Sequence, residues 1–118
     1  MTAFQRTAAL LVALLCGPHL HAQQITGDEL HQWLSEAKQS QAGIAPSSQQ
    51  ANIARGYVLG VAETLVSSKI ICIPDDVTRD QILDIIPMVL YAQPQLRHMH
   101  ANRMVAVALQ DVFPCKPK

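Results

Sequence analysis

Three groups of side chains in this 118-residue sequence have the types and spacing for chemistry. Cys115 with His98 or His100 would be a thiol nucleophile beside an imidazole base, the pairing that activates a cysteine. His98-x-His100 offers two imidazoles to a metal, but no third ligand stands near them. Asp75, Asp76, Asp80 and Asp84 gather carboxylates, yet they lack the alternating ligands and the glycine turn of a calcium loop, so they read as the solvated start of a helix. No Gly-rich phosphate loop is present. Aromatic residues make up 4% of the chain, too few for a base-stacking platform or a sugar cleft.

Whether Cys115 is free depends on the other end of the chain. Arg6 is the only charge before Asp28, and the apolar run after it, 7–15, is shorter than the ~20 residues that span a bilayer. Gly17-Pro18 breaks the run, and Ala22 is a small residue before a polar stretch. This is the pattern of a secretory signal cleaved after Ala22. Leu15 before Cys16 argues against a lipoprotein, and there is no twin arginine. Cleavage removes Cys16 and leaves Cys72 and Cys115, which an exported chain most simply joins as a disulfide. Closing a loop of about 43 residues is worth ~4 kcal/mol in the chain-entropy model. A bridged Cys115 is no nucleophile, so the sequence points to a binder and away from an enzyme. It also names no cofactor and no metal.

Without Arg6, eight basic residues face nine acidic ones. That balance gives no electrostatic footprint for nucleic acid. No segment after the signal is apolar and long enough for a membrane span. The mature chain, 23–118, has the size of one small domain, for which a covalent closure is useful.

The elements that must position these residues read as four helices. Thr26-Gly27-Asp28-Glu29 is a capping box opening a first helix to about Gln39, with Leu30, Trp33, Leu34 and Ala37 at helical spacing. Gly43 and Pro46 mark a loop over 39–50. A second helix covers 48–68, with Ile53, Tyr57, Val61 and Leu65 as its core stripe. Gly56 and Gly60 lie on a neighbouring face and read as a local packing contact, at about 1 kcal/mol per glycine relative to alanine. The segment 70–74 reads as extended and buried. Thr78-Arg79-Asp80-Gln81 is a second capping box, opening a third helix to about Ala92. Ile82, Ile85, Ile86, Val89 and Leu90 point inward there, with a kink expected at Pro87. A linker over 93–100 leads to a fourth helix, 101–112, with Met104, Val105, Ala108, Leu109 and Val112 on one face. The expected fold class is all-α: a small four-helix domain closed by one disulfide, after a cleaved signal peptide. No acidic residue lies between Asp84 and Asp111, and the linker carrying Arg97, His98 and His100 falls in that gap. Held between two helices that the bridge fixes, it reads as a rigid projection suited to binding.

The series Gly56-Tyr57-Val58-Leu59-Gly60-Val61-Ala62-Glu63, Ile71-Cys72-Ile73-Pro74, Val77-Thr78 with Gln81, Leu90 with Pro94 and Arg97-His98, Ala101, Ala108-Leu109 and Phe113-Pro114-Cys115 resembles the Rap/Tai family of immunity proteins. These protect bacteria from peptidoglycan amidase effectors of type VI secretion. The resemblance covers about 28–115. It implies a periplasmic all-helical domain, often a homodimer, that binds a cell-wall amidase, with an inserted loop blocking the active site in some members. The disulfide carries over to Cys72 and Cys115. The 93–100 linker stands in the place of the blocking loop, which makes Gln95, Arg97, His98 and His100 the expected partner contacts. Many members carry a second cysteine pair where this chain has Leu34 and Ala54, and Pro87 stands where a helix-friendly residue is usual. A second function class remains open: a periplasmic acid-stress chaperone, also short, helical and closed by one disulfide, in which His31, His98 and His100 titrate first. A small hydrolase is a third.

Overall fold

The computed structural model describes residues 24–116. The expected signal segment 1–22, with Cys16, lies outside the described residues. Four α-helices follow in order: α1, Gly27–Gln41; α2, Gln49–Ser67; α3, Arg79–Ala92; and α4, Ala101–Val112. A short 3-10 helix, Pro94–His98, joins α3 to α4. Among the described residues there are no strands, only two isolated antiparallel bridges, Thr26 with His100 and Ile71 with Pro114.

Each helix start has a local cause. The Thr26 hydroxyl accepts from the Glu29 amide at 3.2 Å, and the Glu29 carboxylate accepts from the Thr26 amide at 2.8 Å. Thr78 and Gln81 repeat this reciprocal capping at α3. Ser48 caps α2 through the Ala51 amide. α4 has no side-chain cap. Its first amide, on Ala101, donates to the Ile25 carbonyl at 2.9 Å, while the Gly27 amide opening α1 donates to the Met99 carbonyl at 2.8 Å. The two helix N-termini therefore satisfy each other's free amides through backbone alone.

The core is one cluster drawn from all four helices. Leu30, Ile86, Leu90, Met104, Val105 and Leu109 are fully buried at its centre. The buried face of α2 is Ala51, Ala54, Val58, Ala62 and Leu65. This corrects the expected stripe of Ile53, Tyr57, Val61 and Leu65: only Leu65 belongs to the core proper, and Ile53 is largely exposed. The alanines let α2 pack tightly against its neighbours, and the bulkier residues fall to the flank. Val112 is likewise exposed, and Leu83 joins the α3 face, where Ile85 is only partly buried. α3 runs through Pro87 without interruption. In the segment after α2 only Ile71 is buried; Ile70, Cys72 and Pro74 are exposed.

Cys72 and Cys115 form a disulfide with their Cα atoms 4.8 Å apart. Beside it, the Cys72 amide donates to the Phe113 carbonyl at 3.0 Å. The chain reaches this point from α2 by a left-handed turn at Lys69, φ +57°. There the Ile70 amide returns to the Leu65 carbonyl and the Lys69 amide to that of Val66, the bonding pattern of a Schellman stop with a non-glycine residue at its left-handed position.

Candidate functional site: the projection between α3 and α4

The linker expected to bind a partner is a 3-10 helix rather than an irregular loop. Proline at its first position matches the fixed φ of a helix start. Four contacts hold it. Arg97 Nη2 donates to the Leu90 carbonyl at 3.1 Å, which ties the turn back onto the last turn of α3. The Leu96 amide donates to the Gln93 carbonyl, and the Met99 amide to that of Leu96. The Gly27–Met99 bond then fixes its far end to α1.

Gln95 and His98 are exposed on this turn, and His100 is exposed at the start of α4, its imidazole free of any capping duty. His98 Nδ1 lies 3.9 Å from an Asp28 carboxylate oxygen, an exposed pair. Arg97 differs from the other three. It is half-buried, its guanidinium is spent on Leu90, and its Nε is buried without a hydrogen-bond partner. Its position suits shaping the projection more than presenting a charge. The acidic stretch behaves as a solvated helix start, with Asp80 paired to Arg55 at 3.3 Å and Asp84 to Lys38 at 3.8 Å. Among the described residues, no three of histidine, cysteine, aspartate and glutamate gather as a metal site.

His31 lies beneath this projection, on α1, and the sequence reading of the site passed over it. Its Nδ1 is buried without a partner. Burial lowers its pKa from the ordinary 6.5, the Arg97 charge acts in the same direction, and Asp28 opposes them. The folded protein therefore resists protonating His31, whereas the unfolded chain takes up the proton near the ordinary value. Stability is complete above about pH 7 and falls as pH drops through 6.5 toward the lower folded value, levelling off below it. Urea unfolding at pH 7.5 and 5.5 checks this, and His31→Gln should shrink the difference between the two.

Two large apolar side chains stand in the open next to the projection. Tyr91 is 84% exposed and Met88 is 62% exposed, both on the outer face of α3. They fall off the buried 82/86/89/90 stripe, and that offset was the available sequence signal.

Gly56 and Gly60 do not make the close internal contact expected of them: a Cβ built at either meets nothing within 4 Å. They floor an open groove of about 530 Å³ between α2 and α4, lined also by Tyr57, Val61, Asn102 and Ala106. Burial against this wall pushes the Tyr57 phenol pKa up, with the Asn102 backbone acting the other way.

No helix of the described residues is long and apolar enough to cross a membrane. A comparison with curated proteins found no match for the chain. The family model of the Rap1a immunity proteins matches residues 26–115, which takes in both capping boxes, the projection and both disulfide cysteines. The match covers most of the chain and the whole helical domain, so this protein belongs to the Rap1a immunity protein family.

Proposed function

We propose that the protein is a periplasmic, non-enzymatic immunity protein that binds a peptidoglycan amidase effector of type VI secretion and blocks its active site. Family membership carries the immunity reading. The braced 3-10 projection supports blocking: backbone bonds fix it at both ends, the Arg97 side chain ties it to α3, and it pays little ordering entropy on binding. On this reading residues 1–22 direct export and are removed, 23–118 form the mature domain, and Gln95, His98 and His100 face the effector while Arg97 braces them. Co-expression with periplasm-directed peptidoglycan amidase effectors tests the reading. Rescue from periplasmic lysis is expected, and lysis that continues despite the folded protein would reject it.

The mature protein is also read as a homodimer, and the Gly56/Gly60 groove is the face that favours close approach of a second copy. Replacing either glycine by alanine should stabilise the monomer by about 1 kcal/mol, because helix propensity improves and nothing is struck. The same changes should weaken self-association, to be read by sedimentation at several concentrations.

A second reading, an acid-responsive chaperone, has one observation behind it, the buried and unpartnered Nδ1 of His31, whose pKa burial lowers. Client holdase activity that appears below pH 6 would favour it; a single stoichiometric partner would exclude it.

A further inference from the structure

We infer that His31 and Arg97 form a proton-operated latch on the projection. With His31 neutral the turn over 94–98 is closed; a proton on His31 releases Arg97 from Leu90 and lets the turn open. The latch is a property of the domain alone, and only its consequence for binding rests on the immunity reading above.

The two side chains meet at one contact. Gly27 and His31 are four apart on α1 and lie on one face. A Cβ at Gly27 would lie 2.5 Å from the Arg97 carbonyl oxygen, so that face meets Arg97, and His31 stands one turn further along it. His31 Nδ1 and Arg97 Nε are each buried without a hydrogen-bond partner. Both atoms would be hydrated in an open turn, so leaving them unpaired is a cost of the closed one alone. The restraints on the other side are few. They are the Arg97–Leu90 bond at 3.1 Å and two amide bonds, Leu96 to Gln93 and Met99 to Leu96. No residue of the 3-10 turn is fully buried. Segments held this way open locally while the rest of a domain remains folded.

The proton acts on this balance through charge. A neutral imidazole has one bare nitrogen, and the buried Nδ1 is suited to be it. Protonation puts an N–H there with no acceptor, and a cation beside the guanidinium. Arg97 works against that charge, and Asp28, one turn back on α1, favours it. Asp28 is shared with His98, whose Nδ1 lies 3.9 Å from its carboxylate. The other elements packed on α1 add no charge that acts on His31. Arg55 on α2 is paired with Asp80, Asp84 on α3 is paired with Lys38, and His100 and Arg103 on α4 are exposed. In the open turn the imidazole is hydrated and takes its proton near the ordinary 6.5. Opening therefore begins as pH falls through 6.5 and levels off below the lower value of the closed state.

The test follows amide hydrogen exchange by NMR from pH 7.5 to 5, with rates corrected for the intrinsic effect of pH. Protection of the Leu96 and Met99 amides should fall by about fivefold or more in acid, the low end of coupling between linked sites. Their exchange should be insensitive to low urea, as local opening is, whereas the Ala62 amide within α2 should respond to it. His31→Gln cannot take the proton and should abolish the acid step. Arg97→Met should leave both amides equally loose at all pH values and raise the pH at which His31 titrates. His98→Gln should leave the step in place. Unchanged protection in acid, a step that persists in His31→Gln, or exchange that rises with urea in step with Ala62 each overturns the latch. So does a step that levels off at a pH other than that at which the His31 imidazole of the parent titrates, a comparison that needs no variant to fold. On the immunity reading, affinity for a peptidoglycan amidase effector should fall in acid by a similar factor. Loosened amides with unchanged affinity would overturn the projection as the contact and not the latch.

Discussion

A chain carrying both Cys72→Ser and Cys115→Ser should melt about 20 °C below the disulfide-bonded protein. The bridge joins residues 43 apart in sequence. Cross-linking a loop of that length removes unfolded-chain entropy worth ~4 kcal/mol. For a domain of 60–100 residues, each kcal/mol moves the midpoint by about 4–8 °C. The double variant leaves no thiol in residues 23–118 to mispair, so circular dichroism melts of that segment as parent, reduced parent and variant compare directly. The native side of the balance changes little. The Cys72–Phe113 backbone bond and the buried Ile71 already bring the two chain segments together. A midpoint within about 5 °C of the parent would mean that the reduced chain retains a comparable closure when unfolded.

The same variant separates stability from binding. From the sequence, the bridge was expected also to hold the helices that present the binding loop. The structure puts the two at opposite ends of α4, and twelve helical residues span ~18 Å. The projection is braced by its own bonds to Leu90 and to α1. At a temperature where the double-serine protein is folded, its affinity for the effector should therefore stay within about threefold of the parent.

Much of this architecture can be read from local signals. Both capping boxes occur where Thr-x-x-Glu and Thr-x-x-Gln place them, because that chemistry involves only residues three apart. The bounds of α4 follow from the residues that flank it, and the disulfide follows from cysteine arithmetic. The misreadings concern choices that local signals do not make. On α2 two stripes compete, and hydrophobicity favoured the bulkier one. Packing chose the one with Ala51, Ala54 and Ala62, because small residues admit a close neighbour and that neighbour is far away in sequence. Gly56 and Gly60 looked like a contact, yet their surroundings are open space. For Arg97 the fold adds what the sequence does not carry, a guanidinium turned onto a carbonyl seven residues back.

Gly27 is the position where sequence was quietest and the structure is most demanding. It appears in the chain as the unremarked residue after the Thr26 cap. In the fold it is buried where α1 meets the projection and α4. A methyl group there would lie 2.5 Å from the Arg97 carbonyl oxygen and 2.9 Å from Met104 Sδ. The methionine can swing aside, but the carbonyl belongs to the braced 3-10 turn and moves only if the turn moves. Retreat of that turn stretches the Gly27–Met99 and Ala101–Ile25 bonds, the pair that satisfies the first amides of two helices. Overpacking of this kind costs about 1–3 kcal/mol, and an amide left unpaired adds a comparable amount. Gly27→Ala should therefore destabilise the domain by about 3 kcal/mol in urea unfolding, even though alanine is the better helix former. Gly56→Ala, the same chemical change in open space, should move stability in the opposite direction. Because the displaced element is the projection itself, effector affinity should fall in Gly27→Ala even under conditions where the protein is fully folded. This is the contrast with the disulfide variant, which loses stability and keeps its binding. A Gly27→Ala protein as stable and as tightly binding as the parent would show that the turn yields by an ångström at no cost, and the rigid-projection account of inhibition would fail with it.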